Sequence, residues 1–328
     1  MQQEINLLDL FSGIGGFHKG LEQAGFKIGW NGFSDIDKYA NAVYQYQNKD
    51  AISLGSVTDI QGKNLPRVDA ITFGSPCQDF SIAGRRSGLE GDRSSLISEA
   101  IRLIDECQPR FFIWENVKGT FSSNNRQDFA AILQAFANIG DYRIEWQLLN
   151  TKWFLPQNRE RVYLVGYAPG KSRGQVFPIG ESFRRDVIEK ESSSCITTSY
   201  HKGVNFDNQL IKTNTKNGNT NTLSSVQKDN YVIGDYRTDE GYRERFDNNS
   251  PCLTSSHNSE NALSSMPPLV NKIRRLTPIE CERLQGFPDN WTQEGVNGPI
   301  SDTQRYKMCG NAVTVDVVEA VGKQILKL

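Results

Sequence analysis

Through the first half of the chain, apolar runs of about six residues alternate with segments whose apolar residues recur at three- and four-residue spacing. The runs are 5–10 (INLLDL), 68–74 (VDAITFG), 110–116 (RFFIWEN), 143–150 (RIEWQLLN) and 161–167 (RVYLVGY). Their aromatic and aliphatic content over so short a length predicts strands. Residues 38–48, 95–106 and 127–139 have helical spacing, and another helix is expected to begin near Gly16. Strands separated in this way by helices predict an α/β fold around a mostly parallel sheet. From 168 to 271 the texture changes to Ser, Thr, Asn and Gly with few apolar runs, which predicts a smaller, mostly β region. A short hydroxyl-rich pattern recurs there at 192–199, 219–226 and 249–256 and suggests successive hairpins. Helical periodicity returns at 276–287 and 313–326, and the last helix is expected to pack back on the first half.

Composition narrows the class. With 328 residues, 37% hydrophobic and 23% charged, the chain can bury a full core, and no apolar stretch reaches the ~20 residues of a membrane span. The opening MQQEINLLDLF has no basic start and no cleavage signature, so a cytoplasmic location without a membrane is expected. A formal net charge of −1 leaves any nucleic-acid affinity to local clusters of Lys and Arg. The six cysteines include no CxxC pair, which argues against both a zinc site and a disulfide scaffold, and no metal is expected.

The chemistry-bearing residues gather where strands end. The first strand runs into DLFSGIGGF, a glycine-rich turn leading to a helix, where Gly13, Gly15 and Gly16 permit close backbone approach and free N–H groups attract a polar ligand. Asp35 follows about twenty residues on, the position of an acid that binds ribose hydroxyls, although the G-x-G-G spacing is not that of a dinucleotide fold. Cys77, in SPCQDFS, lies just past the strand at 68–74, behind the rigid Pro76 and ahead of Arg85, Arg86 and Arg93. A free cysteine is most often a small buried hydrophobe, but neighbouring guanidinium groups can lower its pKa or grip phosphate. Glu115 ends the next strand in WENVKG, and Arg159 and Arg161 alternate onto one face before the strand at 161–167. A carboxylate capping a turn and a salt-bridged arginine pair are the plain structural readings of these last residues. Their coincidence with a cysteine at a neighbouring strand end favours a reactive site.

Six ordered segments, DLFSGIGGF, GSPCQDFS, ENV, QNRERVYLVG, RRLTPIECERLQGFP and QRYKMCGNAV, together resemble the cytosine carbon-5 DNA methyltransferases of bacterial or phage type. The resemblance implies a Rossmann-like S-adenosylmethionine-dependent sheet. It divides the chain into a catalytic and cofactor-binding part at 1–167, a target-recognition domain at 168–272, and a hinge with a returning C-terminal helix at 273–328. It further implies that S-adenosyl-L-methionine is held by Phe11, Gly13, Ile14, Gly15, Gly16, Asp35, Ile36, Ser56, Val57, Pro76, Leu96, Asn311 and Val313. Cys77, Glu115, Arg159 and Arg161 become the catalytic set. Cys77 would add to carbon 6 of cytosine, Glu115 would bond the ring nitrogen and exocyclic amine, and Arg161 would hold the base carbonyl. Because those atoms are hidden in a duplex, the base must be flipped. Gln78, Ser81, Arg85, Arg86 and Arg93 would then contact DNA, with Thr222 or Leu253 marking the family's Thr-Leu position in the recognition domain. The implied partner is double-stranded DNA acted on by a monomer, with a cognate restriction endonuclease as the companion of a restriction-modification system. The chain departs from the family at Asp35 and Ile36, where Glu and Trp are usual, and at Ser56, where Asp is usual. A tRNA cytosine methyltransferase is the nearest rival and is disfavoured by the long insertion. A catalytically idle DNA-binding protein is disfavoured by the intact PCQ, ENV and RER sets, and a dehydrogenase by the glycine spacing.

Overall fold

The computed structural model describes residues 3–75, 96–122, 127–168, 174–180, 193–197, 222–224, 231–237, 241–245 and 274–328. The strands are β1 (Gln3–Leu10), β2 (Phe26–Ser34), β3 (Ile52–Ser53), β4 (Ala70–Phe73), β5 (Phe111–Val117), β6 (Arg143–Asn150), β7 (Gln157–Asn158), β8 (Glu160–Tyr167), β9 (Ser193–Thr197), β10 (Thr222–Ser224), β11 (Tyr231–Arg237), β12 (Gly241–Arg245), β13 (Arg274–Arg275), β14 (Glu294–Gly295) and β15 (Gly298–Pro299). The helices are α1 (Gly16–Ala24), α2 (Lys38–Gln47), α3 (Leu96–Cys107), α4 (Gly119–Ser122), α5 (Gln127–Ala137), α6 (Pro278–Leu284), α7 (Asp302–Asn311) and α8 (Val315–Ile325).

Seven strands form one sheet in the order β3-β2-β1-β4-β5-β8-β6. Pairing is parallel from β3 through β5, and β8 enters antiparallel between β5 and β6. The expected sheet is therefore present, with β8 as its one reversed strand. Alternation along β5 divides the core. Phe111 and Ile113 face a layer shared with α1 and α8, whereas Phe112 and Trp114 face the layer of α3 and α5. Register fixes the site, because Leu10, Ser34, Phe73 and Trp114 lie on one row across β1, β2, β4 and β5. Beyond that row β5 continues through Glu115 to Val117, beside the incoming Arg161 to Tyr163 of β8.

The last helix does return to the first half. Gly16 and Gly20 let α1 lie directly against Val313 and Val318. A methyl group at Gly20 would stand 2.5 Å from Val318 Cβ and 2.9 Å from the Val315 carbonyl. Gly20→Ala is expected to destabilise by about 1–3 kcal/mol through overpacking, measured by denaturant unfolding.

One local expectation is corrected. The copies at 192–199 and 219–226 supply β9 and β10, but these pair in parallel rather than as a hairpin, and β9 adds in parallel to β7. The antiparallel neighbours in this region are β11 and β12, and β11 also pairs with β13. The third copy, at 249–256, lies outside the described residues.

Candidate active site

The glycine-rich turn is built from unusual backbone. Phe11, Gly13 and Gly15 have φ of 50°, 53° and 86°, and Gly15 caps α1 in the left-handed region. The turn is tied down by Ser12 N–H donating to the Ser34 carbonyl (3.1 Å), Gly13 N–H to Asp35 Oδ2 (2.9 Å), and Trp291 Nε1 to the Ile14 carbonyl (2.9 Å). Asp35 accepts from Asp37 N–H through its other oxygen, and burial raises its pKa against those backbone bonds. Ile36 next to it is 88% exposed, while a side chain added at Gly13 would project into open space. Ser56 accepts from Thr58 N–H at the start of the turn that holds Val57, and its hydroxyl lies 2.8 Å from that of Thr58. Gly16 and Val313 meet each other in the α1–α8 contact, Asn311 ends α7, and Leu96 opens α3 against the core.

A polar cluster not anticipated from sequence lies beneath this turn. Asp9 Oδ1 accepts from the Thr72 hydroxyl (2.8 Å), and the Tyr44 hydroxyl lies 3.2 Å from both Asp9 Oδ2 and Asn31 Oδ1. Tyr44 in turn stacks on Phe33 and closes the space beside Gly15. Burial raises the Asp9 carboxyl to about 8. A protonated Asp9 resolves the bonding: its O–H donates to Tyr44, freeing the Tyr44 proton for Asn31.

The second centre lies where β4, β5 and β8 meet. Glu115 Oε1 is 3.2 Å from Arg161 Nε and 3.9 Å from an Arg159 terminal nitrogen, with all three side chains almost wholly buried. The arginines differ in their other partners. Arg161 donates to the Glu160 carbonyl at 2.8 Å, whereas Arg159 donates to the carbonyls of Gly310 (3.3 Å) and Ala312 (2.9 Å). Gly74 packs against Glu115 so closely that an added Cβ would lie 3.3 Å from Oε2. Ser75, the last described residue before Pro76, is clasped from β5: Trp114 Nε1 donates to its hydroxyl (3.1 Å) and Asn116 Nδ2 to its carbonyl (3.1 Å). Asn116 was a missed positioning residue. Its presence in ENV was the available signal, since a buried amide at a strand end must bond something.

Thus Glu115, Arg159 and Arg161 come together, and the glycine-rich turn and Asp35 lie together at the ends of β1 and β2. Pro76, Cys77, Gln78, Ser81, Arg85, Arg86, Arg93 and Leu253 lie outside the described residues, and Thr222 is described only as a backbone position in β10. Among the described residues no group of His, Cys, Asp and Glu is placed to hold a metal ion, and no helix is long and apolar enough to cross a membrane.

Residues 5–327 match the family model described as C-5 cytosine-specific DNA methylase. The chain belongs to that family. This methylase is 30% identical to the type II methyltransferase M.Bsp6I of Bacillus sp. (strain RFL6), over 98% of its own length and 99% of the relative's. It is 31% identical to M1.ScrFI of Lactococcus lactis subsp. cremoris, over 99% of this chain and 79% of that one. Its fold resembles S. pombe Dnmt2 methyltransferase at TM-score 0.62 and 19% identity, with 98% of each chain covered. A putative DNA modification methyltransferase encoded within a prophage of E. coli follows at TM-score 0.57 and 24% identity, with 99% of each chain covered. Family and fold therefore agree with the resemblance read from the six motifs, and the methylase is a DNA (cytosine-5-)-methyltransferase.

Proposed function

We propose that this enzyme methylates carbon 5 of a cytosine flipped out of a specific duplex sequence, with Cys77 bonding covalently to carbon 6. The observation that carries this reading is the buried Glu115, set against Gly74 three residues before Cys77 and flanked by Arg159 and Arg161. A cytosine ring needs such a set. Attack at carbon 6 pushes charge onto the ring nitrogen at position 3 and the carbonyl oxygen, where a carboxyl proton and a guanidinium stabilise it. Addition of the Cys77 sulfur makes carbon 5 nucleophilic. After methyl transfer, loss of the carbon 5 proton expels the thiolate and restores the ring.

S-adenosylmethionine would supply the methyl group, and the turn at residues 11–16 has the features to hold it. Positive-φ glycines and the N-terminus of α1 suit a polar cofactor, Asp35 keeps lone pairs for ribose hydroxyls beyond its two backbone bonds, and the exposed Ile36 offers an apolar face to adenine. Ser56 and Val57 would border the adenine, with Phe11, Ile14, Leu96, Asn311 and Val313 around the remainder. Residues 1–167 with 273–328 make up the catalytic part in this reading, and 168–272 reads the sequence.

The deciding experiment supplies labelled S-adenosylmethionine with mixed-sequence duplex DNA or with tRNA and maps methylcytosine at base resolution. Methylation at a fixed DNA sequence is expected. Label confined to tRNA would overturn the duplex reading, and absence of label in both would overturn the catalytic one.

A further inference from the structure

Arg159 is gripped at both ends by residues outside the catalytic set. Its carbonyl accepts from Thr151 N–H (2.9 Å), and its guanidinium faces Glu115 on one side and the Gly310 and Ala312 carbonyls on the other. The Ala312 carbonyl also receives Gln285 Nε2 (3.4 Å), which donates to the Cys309 carbonyl as well (2.7 Å). Gln285 is fully buried and its orientation is set from behind, because Thr314 donates its hydroxyl to Gln285 Oε1 (3.0 Å). The single Thr314 proton being so used, the Thr151 hydroxyl 3.0 Å away donates to Thr314. The result is a directional chain from Thr151 through Thr314 and Gln285 to the Ala312 carbonyl, the same oxygen to which Arg159 donates.

Thr314 supplies an independent sign that this chain has a purpose beyond helix stability. It occupies the N-cap of α8, where a Thr ordinarily bonds its own helix, yet its side chain makes no capping bond. Its hydroxyl serves Gln285 instead. Gln285 directly follows α6, the first helix after residues 168–272, while Gln157 on β7, the strand to which β9 pairs, donates to the Leu284 carbonyl (2.5 Å). The network therefore sits where the chain leaves the recognition region and where that region's β9 joins β7.

We infer that Gln285 and Thr314 are positioning residues for the Arg159–Glu115 pair, acting through the carbonyl of Ala312. The inference rests on the catalytic reading of Glu115 above. In a buried ion pair the angle and separation of the charges decide how well the carboxyl serves the ring, so a small displacement of Arg159 slows chemistry without weakening ligand binding.

Thr314→Val removes the hydroxyl at nearly constant volume, and Thr314→Ser keeps it. Thr314→Val is expected to lower kcat roughly 10- to 100-fold, with KM for DNA and for S-adenosylmethionine within about twofold, and Thr314→Ser to restore kcat. In ligand-free protein labelled with 13C-glutamate, the Glu115 carboxyl resonance, assigned through Glu115→Gln, should move in Thr314→Val and return in Thr314→Ser. Gln285→Met serves as a second variant and should behave as Thr314→Val does. A folded Thr314→Val or Gln285→Met with kcat within twofold of wild type, a raised KM at unchanged kcat, or an unmoved Glu115 resonance would each overturn the inference. The resonance separates the two failures: a wild-type protein that methylates nothing sinks the catalytic reading, while the spectrum still decides whether Thr314 positions Glu115.

Discussion

Cys77→Ser is expected to abolish methyl transfer to duplex DNA, with kcat falling by about 10⁴-fold or more while DNA affinity stays within about threefold. A thiol yields an appreciable fraction of thiolate at neutral pH when cations stand near, whereas a serine hydroxyl does not. No described cysteine could replace Cys77. Burial pushes the Cys107 thiol up to about 11, and it raises Cys281 and Cys309 further still, so none offers thiolate near neutrality. DNA affinity rests on other groups, chiefly contacts to phosphate. A duplex carrying 5-fluorocytosine at the target gives the complementary result. Fluorine cannot leave as a proton, so wild type should be trapped as a covalent complex stable to denaturing electrophoresis, and Cys77→Ser should not. Turnover by the serine variant, or an equally strong trapped band from it, would remove Cys77 from the mechanism.

What sequence revealed about this enzyme follows from the physics of its sheet. Apolar runs buried on both faces announce themselves, and β1, β4, β5 and β8 lie within or beside the runs that predicted them, while the half-exposed edge strand β6 was signalled by its aromatic and aliphatic content. β2 did not announce itself. In FKIGWNGFS two glycines and an asparagine interrupt the apolar run, yet tertiary packing explains them: a side chain at Gly32 would overlap the Trp30 ring, and Asn31 belongs to the polar cluster under the glycine-rich turn. The reversal of β8 was equally silent, because strand direction depends on the path of the connection rather than on local composition. That reversal matters for function. It brings Arg161 in beside Glu115 from the opposite direction, so two motifs distant in sequence meet at one sheet end. Glu115, Arg159 and Arg161, which the proposal makes catalytic, stood out in sequence because charged residues interrupt or flank apolar strand runs there. Gln285 and Thr314 were silent, since a single polar residue that bonds one carbonyl or one side-chain amide leaves no pattern of its own.

Asp9→Asn is expected to flatten the decline of stability with rising pH. Burial lifts the Asp9 carboxyl from 3.8 to about 8; the bonds that Thr72 and Tyr44 can donate to its ionised form pull the other way, and the charge of Asp35 adds to the rise. The folded state thus holds a proton that the unfolded chain releases above about pH 4. For this group stability is fully present below pH 3.8 and is lost as pH climbs towards 8, at about 1.4 kcal/mol per unit. Asparagine reproduces the protonated acid. Its carbonyl oxygen can accept from Thr72 and its amide can donate to Tyr44, which keeps the Tyr44 proton for Asn31. Urea unfolding of wild type and variant between pH 5 and 8 should show the difference in free energy widening in favour of Asp9→Asn by up to about 4 kcal/mol. Subtracting the two curves isolates Asp9, because Asp35, raised mainly by burial, and His18, lowered mainly by burial, titrate in both proteins. A constant difference across that range would mean that Asp9 is already ionised in the fold, and the proton assigned to the cluster beneath the glycine-rich turn would have to be withdrawn.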